Sequence, residues 1–261
     1  MNRLENKIAL VTGAAMGMGR AITRRIVKEG AQVVITDINL EGLQALQEEL
    51  ECSNSNYKGF FKKMDVTKND EIEKVMSKTI DTFGRIDILV SCAGILSAYP
   101  IVDLPEEEWD AVMNVNAKGT YLIIKNVAKE MKKQKYGKIC CIASIVSKKA
   151  TIYHVHYCAS KFAVRGIIQS SAIELAPYGI NVNCICPGEV DTGMLETSYK
   201  YIAKYEGRSF EEQRERGRNL PLLKRFEKPE DVAPLVAFLV SDESGYITGQ
   251  SINICGGIQF H

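Results

Sequence analysis

The sequence predicts an α/β fold in which one doubly wound, parallel, seven-stranded sheet carries helices on both faces. Short apolar runs of β-forming residues recur along the chain, and amphipathic helical patterns lie between them. This alternation is typical of parallel strands joined by helical crossovers. Runs such as Ile88-Leu89-Val90 are apolar without alternation. Such runs indicate strands that are buried on both faces, as a doubly covered sheet requires.

The predicted strands are the seven apolar runs at Lys7 to Thr12, Gln32 to Thr36, Gly59 to Met64, Asp87 to Ser91, Gly137 to Ala143, Ile180 to Cys186 and Gln250 to Ile254. Between the third and fourth runs, the apolar residues recur at helical spacing, which predicts one helix face packed on the sheet: Ile72, Val75, Met76, Thr79, Ile80 and Phe83. No linker or repeat divides the chain, so we expect a single domain over residues 1–261. Residues 194–220 are charged and rich in tyrosine, and they predict a helical flap on the substrate side of the sheet's carboxyl edge.

Composition excludes several function classes. The chain has 261 residues and a formal net charge of +1, with 46% hydrophobic and 25% charged residues. A balanced charge provides no basic surface for nucleic acid or an anionic membrane. No stretch approaches the roughly 20 apolar residues of a membrane-spanning helix, and the charged start at Met1 to Lys7 does not resemble a signal peptide. We therefore expect small molecules and folded subunits as partners.

The eight cysteines predict neither disulfides nor a metal site. No Cys-x-x-Cys pair occurs, and most of the cysteines lie in apolar segments such as Ile139-Cys140-Cys141-Ile142. Free cysteine in such segments behaves as a small hydrophobic residue. Reduced thiols predict a cytoplasmic location. No His, Asp or Glu cluster has metal-ligand spacing, so no metal is expected.

A glycine-rich turn after the first strand predicts a nucleotide site. Gly13, Gly17 and Gly19 would let the backbone approach a pyrophosphate at the N-terminus of the next helix. The alternative is an ordinary tight loop. Asp37 ends the second strand 18 residues past Gly19 and could accept hydrogen bonds from both hydroxyls of an adenosine ribose. Because Asp37 would repel a 2′-phosphate, and Met16 offers no cation to attract one, NAD is favoured over NADP. The alternative role for Asp37 is a helix N-cap.

Asp65 and Val66 follow the third strand and could receive the adenine amine and cover its ring. Aspartates at strand ends are common in structural roles, so that interpretation stays open beside the functional one.

Ser144, Tyr157 and Lys161 are the candidate reacting groups. Ser144 ends the fifth strand, and a helix beginning at Tyr157 would place Tyr157 and Lys161 on one face. A phenol has a reference pKa of about 10, and a neighbouring ammonium together with an oxidised nicotinamide would lower it. The phenolate could then take a proton from an alcohol while Ser144 donates to the substrate oxygen. The alternative is a surface pair of no function.

With these motifs, the chain resembles the short-chain dehydrogenase/reductase family along almost its whole length. Thr12-Gly13-x-x-x-Gly17-x-Gly19 resembles the family's cofactor loop, and Ser144 with Tyr157-x-x-x-Lys161 resembles its catalytic set. The Asn-Ala-Lys-Gly segment at Asn116 matches the asparagine that completes that set. The resemblance implies a Rossmann-like domain, and a homotetramer formed through the two long helices that begin near Asp110 and Tyr157.

The resemblance also implies roles at the cofactor. Lys161 would bind the nicotinamide ribose, and Asn116 would hold a water that links Lys161 to solvent. The implied cofactor-binding set is Gly13, Met16, Gly17, Met18, Gly19, Asp37, Ile38, Asp65, Val66, Cys92, Ala93, Gly94, Tyr157, Lys161, Pro187, Gly188, Val190 and Thr192. One departure is Ser91-Cys92-Ala93-Gly94, where the family has Asn-Asn-Ala-Gly. This exchange removes the two asparagine side chains whose hydrogen bonds normally brace the central sheet in the family.

Several scaffold segments resemble the acetoin/diacetyl reductase and polyol dehydrogenase branch, among them Cys186-Pro187-Gly188. We expect Ser144 and Tyr157 to contact the substrate, and Glu189 and His154 to face it. Polar groups there favour a hydroxylated substrate, although His154 and His156 could equally lie in a solvated loop. Two other functions stay open: a reductase of 3-oxoacyl thioesters or hydroxysteroids, and a non-catalytic NAD-sensing or scaffold protein.

Overall fold

The structure, a computed structural model, describes residues 2–261. Seven strands form one sheet in the order β3-β2-β1-β4-β5-β6-β7, and every neighbouring pair is parallel. The strands are β1 (Ile8–Thr12), β2 (Gln32–Asp37), β3 (Phe60–Lys63), β4 (Ile88–Ser91), β5 (Gly137–Ile142), β6 (Ile180–Pro187) and β7 (Ser251–Ile254). The predicted fold class is confirmed, and each strand lies within one or two residues of its predicted bounds.

Helices connect the strands: α1 (Gly17–Lys28), α2 (Leu40–Ser53), α3 (Asn69–Phe83), α4 (Glu106–Val112), α5 (Gly119–Gln134), α6 (Val155–Leu175), α7 (Gly193–Glu206), α8 (Phe210–Asn219) and α9 (Pro229–Leu239). Their apolar stripes explain where they pack. Ile22 and Ile26 of α1 join a core on one face of the sheet, whereas Ile72 and Val75 of α3 join the core on the other face. Successive strand residues such as Ala9 and Leu10 point to opposite cores.

The strand order reverses between β1 and its two neighbours, β2 and β4. The chain leaves β1 on one side for β2 and returns to the other side for β4, which opens a crevice at the carboxyl ends of the strands. Ligands of doubly wound sheets bind at this switch point. Residues that follow β1, β2, β4, β5 and β6 therefore meet at one edge.

Some local features go beyond the sequence prediction. Residues Met113–Lys118 form a π-helical segment between α4 and α5, an irregularity frequently found at functional sites. The flap expected at residues 194–220 consists of two helices, α7 and α8, and Ser209 and Glu212 form a reciprocal capping box at the start of α8. Within residues 2–261, no helix is both long and apolar enough to cross a membrane.

Candidate active site

The turn after β1 has the geometry that the glycine spacing predicts. Gly13 and Gly17 have φ values of 65° and 53°, which favour glycine. Helix α1 begins at Gly17, and its N-cap residue, Met16, has no side-chain oxygen that could cap the first turn. The backbone N–H groups of that turn therefore suit an anion such as a pyrophosphate. These features fit a dinucleotide.

The same turn is packed tightly against its surroundings. A Cβ atom at Gly19 would lie 2.0 Å from the Gly13 carbonyl oxygen, and a Cβ at Gly13 would lie 2.7 Å from the Ala93 backbone nitrogen. The Thr12 hydroxyl accepts hydrogen bonds from the N–H groups of Cys92 and Ala93, both at 3.2 Å. The threonine side chain thus braces the segment after β4, where the sequence departs from the family pattern.

Asp37 lies at the end of β2 with both carboxylate oxygens directed by the backbone. Its Oδ2 accepts from Ala15 N–H at 3.1 Å and its Oδ1 accepts from Asn39 N–H at 2.9 Å. The N-cap of α2 is Asn39, whose side chain accepts from Gly42 N–H, so the N-cap alternative for Asp37 is wrong. Ile38 next to it is exposed. Each carboxylate oxygen of Asp37 keeps a further lone pair for a ribose hydroxyl.

Asp65 and Val66 have structural partners. The Asp65 Oδ1 accepts from the N–H and the hydroxyl of Thr67, both at 2.8 Å. Val66 is buried, and a Cβ at Gly119 would lie 2.7 Å from its Cγ2 atom. The Val66 side chain therefore belongs to the core beneath α5. Neither residue lines the cavity at the carboxyl edge of the sheet that Ser144, Tyr157 and Lys161 line.

Ser144, Tyr157 and Lys161 converge on one cavity of about 300 Å³ at the carboxyl edge of the sheet. Tyr157 and Lys161 lie in the first two turns of α6, and the Lys161 Nζ is 5.6 Å from the centre of the Tyr157 ring. The ammonium donates to the Ile142 carbonyl at 2.8 Å, which directs it along the end of β5. The structure thus brings the three predicted reacting groups together.

Burial dominates the titration of these groups. Burial raises the pKa of the Tyr157 phenol above its ordinary value, and a hydrogen bond with Ser144 opposes the rise. Burial also lowers the pKa of Lys161 to about 8. The sequence predicted a lowered phenol pKa, but within the chain desolvation outweighs the hydrogen bond with Ser144. A positive charge beside the phenol, such as that of an oxidised nicotinamide, would lower the pKa.

Asn116 lies in the π-helical segment and is buried behind the cavity rather than in its wall. Its side chain donates to the Ile95 carbonyl and to the Ser160 hydroxyl, and it accepts from Ile95 N–H at 2.9 Å. Gly94 lies between Asn116 and the Lys161 amine. A Cβ at Gly94 would lie 3.3 Å from the Asn116 Oδ1 and 3.7 Å from the Lys161 Nζ. Asn116 is thus close to Lys161, as a proton relay would need.

The loop after β6 forms another wall of the cavity. Among the predicted cofactor residues, those that line the cavity are Met18, Cys92, Gly94, Tyr157, Lys161, Pro187, Gly188, Val190 and Thr192. A Cβ at Gly17 would lie 3.5 Å from the Thr192 methyl, so this loop reaches the glycine-rich turn. Glu227 fixes the loop, because its carboxylate accepts from Gly188 N–H at 3.0 Å and its carbonyl accepts from Asp191 N–H at 2.8 Å.

Glu189 and His154 both line the cavity, as predicted. Burial raises the pKa of the Glu189 carboxyl, and its Oε2 accepts from the Tyr199 hydroxyl at 2.7 Å. The His154 Nδ1 lies 2.7 Å from the Ile152 carbonyl and its Nε2 lies 3.0 Å from the Ser198 hydroxyl. Because a carbonyl only accepts, Nδ1 carries the proton and Ser198 donates to Nε2.

The solvated-loop alternative for the histidines is wrong. His154 and His156 are both buried, and burial lowers the pKa of each. The His156 Nε2 is 2.8 Å from the Ser97 hydroxyl. Both rings are held by protein groups, which leaves Glu189 as the more accessible polar group of the substrate side.

The flap residues of the cavity were missed by sequence reasoning. Six residues of α7 line the cavity: Met194, Leu195, Ser198, Tyr199, Ile202 and Glu206. Their spacing of one, three, one, three and four residues is a helical stripe, and this signal could have identified them. Among residues 2–261, no group of three or more His, Cys, Asp or Glu side chains could hold a metal ion.

Comparisons with known proteins identify relatives over nearly the full length. A family model described as Enoyl-(Acyl carrier protein) reductase matches residues 13–259. A 3-oxoacyl-[acyl-carrier-protein] reductase of Thermotoga maritima is 40% identical over 98% of this chain and 99% of its own length. A diacetyl reductase [(S)-acetoin forming] of Staphylococcus epidermidis is 37% identical over 98% of this chain and 99% of its own length. The crystal structure of a single-substitution variant of actinorhodin polyketide ketoreductase with NADPH matches with a TM-score of 0.93 and 32% identity, over 98% of both chains.

Proposed function

The chain belongs to the short-chain dehydrogenase/reductase family of nicotinamide-dependent oxidoreductases, and from this premise we propose that it interconverts a secondary alcohol and a ketone with NAD(H). The proposed substrate is a small polyol or an acetoin-like hydroxyketone. The observation that carries the proposal is the convergence of Ser144, Tyr157 and Lys161 on one cavity, beside the loop at Gly188.

In this proposal each side chain handles the substrate oxygen or its proton. Tyr157 takes the hydroxyl proton during oxidation and returns it during reduction. Ser144 donates a hydrogen bond to the oxygen as negative charge develops on it. Lys161 stabilises the phenolate and passes the proton to solvent through the water that Asn116 would hold. The bound nicotinamide supplies the chemistry of accepting or giving the hydride.

The preference for NAD rests on Asp37. Its carboxylate ends β2 at the expected ribose position and is fixed by two backbone N–H groups. A fixed negative charge there favours two ribose hydroxyls and repels a 2′-phosphate. A structural relative was solved with NADPH, so the fold does not by itself select NAD, and in this proposal Asp37 carries the choice.

The preference for a hydroxylated substrate rests on Glu189 and on the diacetyl reductase relative. A second candidate also has support. The cavity wall includes the apolar side chains of Leu195, Ile202 and Leu220, which suit an acyl chain or a ring ketone, and the Thermotoga maritima relative is named for a 3-oxoacyl thioester. Reduction of 3-oxoacyl thioesters or oxidation of hydroxysteroids is therefore the alternative.

A substrate screen separates these functions. NADH formation is measured across polyols, butanediols, hydroxyacyl thioesters and bile acids, with NADP in parallel at each substrate. We expect turnover with a polyol or a butanediol, and faster turnover with NAD than with NADP. Activity confined to the thioesters or the bile acids would contradict the proposed substrate, and faster turnover with NADP would contradict the proposed cofactor.

We further propose a cytoplasmic homotetramer. All eight cysteines are free, and six of them are buried, which suits a reducing compartment. Tyr121 on α5 and Phe162 and Ile173 on α6 are large and exposed, and a partner subunit would cover them. Light scattering at micromolar concentration is expected to give the mass of four chains, and a monomer would contradict the assembly.

A further inference from the structure

Two adjacent polar side chains of α7 form hydrogen bonds to residues that line the cavity. Ser198 donates to the His154 Nε2 at 3.0 Å, and Tyr199 donates to the Glu189 Oε2 at 2.7 Å. Ser198 and Tyr199 are each 4% exposed. Both bonds are thus shielded from bulk water and connect the flap to residues on either side of the reacting groups.

Glu189 retains hydrogen-bonding capacity toward the cavity. The bond from Tyr199 uses Oε2, while the Glu189 side chain is only partly buried and lines the cavity that holds Tyr157. Burial is the main cause of the raised pKa of Tyr157, and the charge of Glu189 adds to it. The Oε1 atom of this carboxyl has no partner among the side chains described above, so it is free to accept a hydrogen bond from a ligand in the cavity.

The chain fixes Tyr199 in the position that directs this carboxyl. A Cβ at Gly217 of α8 would lie only 1.8 Å from the Tyr199 hydroxyl oxygen. The absence of a side chain at Gly217 therefore makes room for the hydroxyl between α8 and Glu189. On another side the Tyr199 ring packs against Phe226, with 6.2 Å between ring centres. Tyr199 has little freedom to turn away from Glu189.

From this geometry we propose that Glu189 selects the substrate by hydrogen bonding to a second hydroxyl, one other than the hydroxyl that reacts, and that Tyr199 is the positioning residue for Glu189. The inference rests on the proposed oxidation of a secondary alcohol at Tyr157. A hydroxyl both donates and accepts, so it pairs with the carboxyl in either protonation state. A substrate with only one hydroxyl leaves that carboxyl unpaired, and a substrate carboxylate meets a like charge.

The test compares two alcohols with the same carbon chain, 2,3-butanediol and 2-butanol. The readout is the ratio of their kcat/KM values with NAD, because a general structural defect changes both rates and leaves the ratio unaltered. We expect the wild type to favour the diol at least about tenfold, since a hydrogen bond to a charged group contributes about 1.5–3 kcal/mol.

Glu189→Leu should lower this ratio at least about tenfold, through loss of the acceptor. Glu189→Gln retains the size of the side chain and should lower the ratio about threefold or more, because a neutral acceptor is weaker. Tyr199→Phe should also lower it about threefold or more, as expected when one neutral hydrogen bond that orients the carboxyl is lost. Tyr201→Phe is the matched control on α7: Tyr201 is exposed and does not line the cavity, and its ratio should equal that of the wild type.

The outcomes separate this inference from the function on which it rests. Equal kcat/KM values for both alcohols in the wild type would overturn the inference and leave secondary-alcohol oxidation in place. An unchanged ratio in both Glu189 variants would overturn the role of Glu189, and an unchanged ratio in Tyr199→Phe would overturn its positioning role. If neither these two alcohols nor the polyols of the substrate screen yielded NADH, the proposed function itself would fail.

Discussion

A methyl group at Gly19 tests the cofactor turn most directly. The Cβ of Gly19→Ala would lie 2.0 Å from the Gly13 carbonyl oxygen and 2.8 Å from its carbonyl carbon. Ordinary contact begins near 3.4 Å, so the two backbone segments must separate by about 1.4 Å to restore a normal contact. Both are main-chain segments of one tight turn, and neither can relieve the contact by changing a rotamer.

The separation should appear mainly in cofactor binding. Overpacking of this kind costs about 1–3 kcal/mol, and the displaced turn would lose at least one charge-assisted hydrogen bond to the pyrophosphate. We therefore expect the Kd for NADH to rise at least about tenfold, measured by titration of NADH fluorescence. Thermal unfolding of the same samples reports whether the variant is folded.

Gly166→Ala is the matched control. A Cβ at Gly166, which lies in α6, would meet no atom within 4 Å. Gly166 does not line the cavity, and alanine is favoured over glycine in a helix, so we expect an unchanged Kd for NADH. If Gly19→Ala bound NADH within twofold of the wild type, the structural account of the turn would be refuted.

Three further substitutions follow from the site. Tyr157→Phe removes the only hydroxyl of the phenol and should lower kcat at least about a hundredfold, the lower end of a general acid/base contribution. Asp37→Ser removes the charge that repels a 2′-phosphate, so the ratio of kcat/KM for NADP over NAD should rise at least about tenfold. Glu227→Gln should raise Tm more at pH 8 than at pH 5. Burial raises the pKa of Glu227 to about 7, so between its unfolded value near 4.5 and about 7 the folded chain binds the proton that the unfolded chain releases. Stability of the wild type therefore falls as pH rises through that window, and the neutral amide escapes the loss.

Each of these has a contradicting result. Equal turnover of Tyr157→Phe and wild type would remove the catalytic role of Tyr157, and no turnover by either protein would favour the non-catalytic NAD-sensing alternative. An unchanged cofactor ratio in Asp37→Ser would place the selection elsewhere in the site. A gain in Tm for Glu227→Gln of the same size at both pH values would show that the carboxyl titrates normally.

The candidate reacting groups and the glycine-rich turn were predictable because their signals are local. Tyr157 and Lys161 are one helical turn apart, and Gly13 and Gly19 bracket a single strand-to-helix turn. Parallel strands place their carboxyl ends at one edge, so residues following β1, β2 and β5 were expected to meet there. The choice between Asp37 and Asn39 as the cap of α2 was not predictable, since both residues are competent N-caps at neighbouring positions.

The sequence by itself determined the fold class and the set of candidate reacting groups, because short-range periodicity, fixed spacings and the family resemblance together indicate both. Only the tertiary structure decided which side chains of the flap line the cavity. Tyr199 of α7 meets Glu189 in the loop after β6, Gly217 of α8 makes room for that contact, and Ser198 pairs with His154 across 44 residues of chain. The sequence spacing of such residues carries no information about these contacts, because they arise from how α7 and α8 pack over the sheet edge.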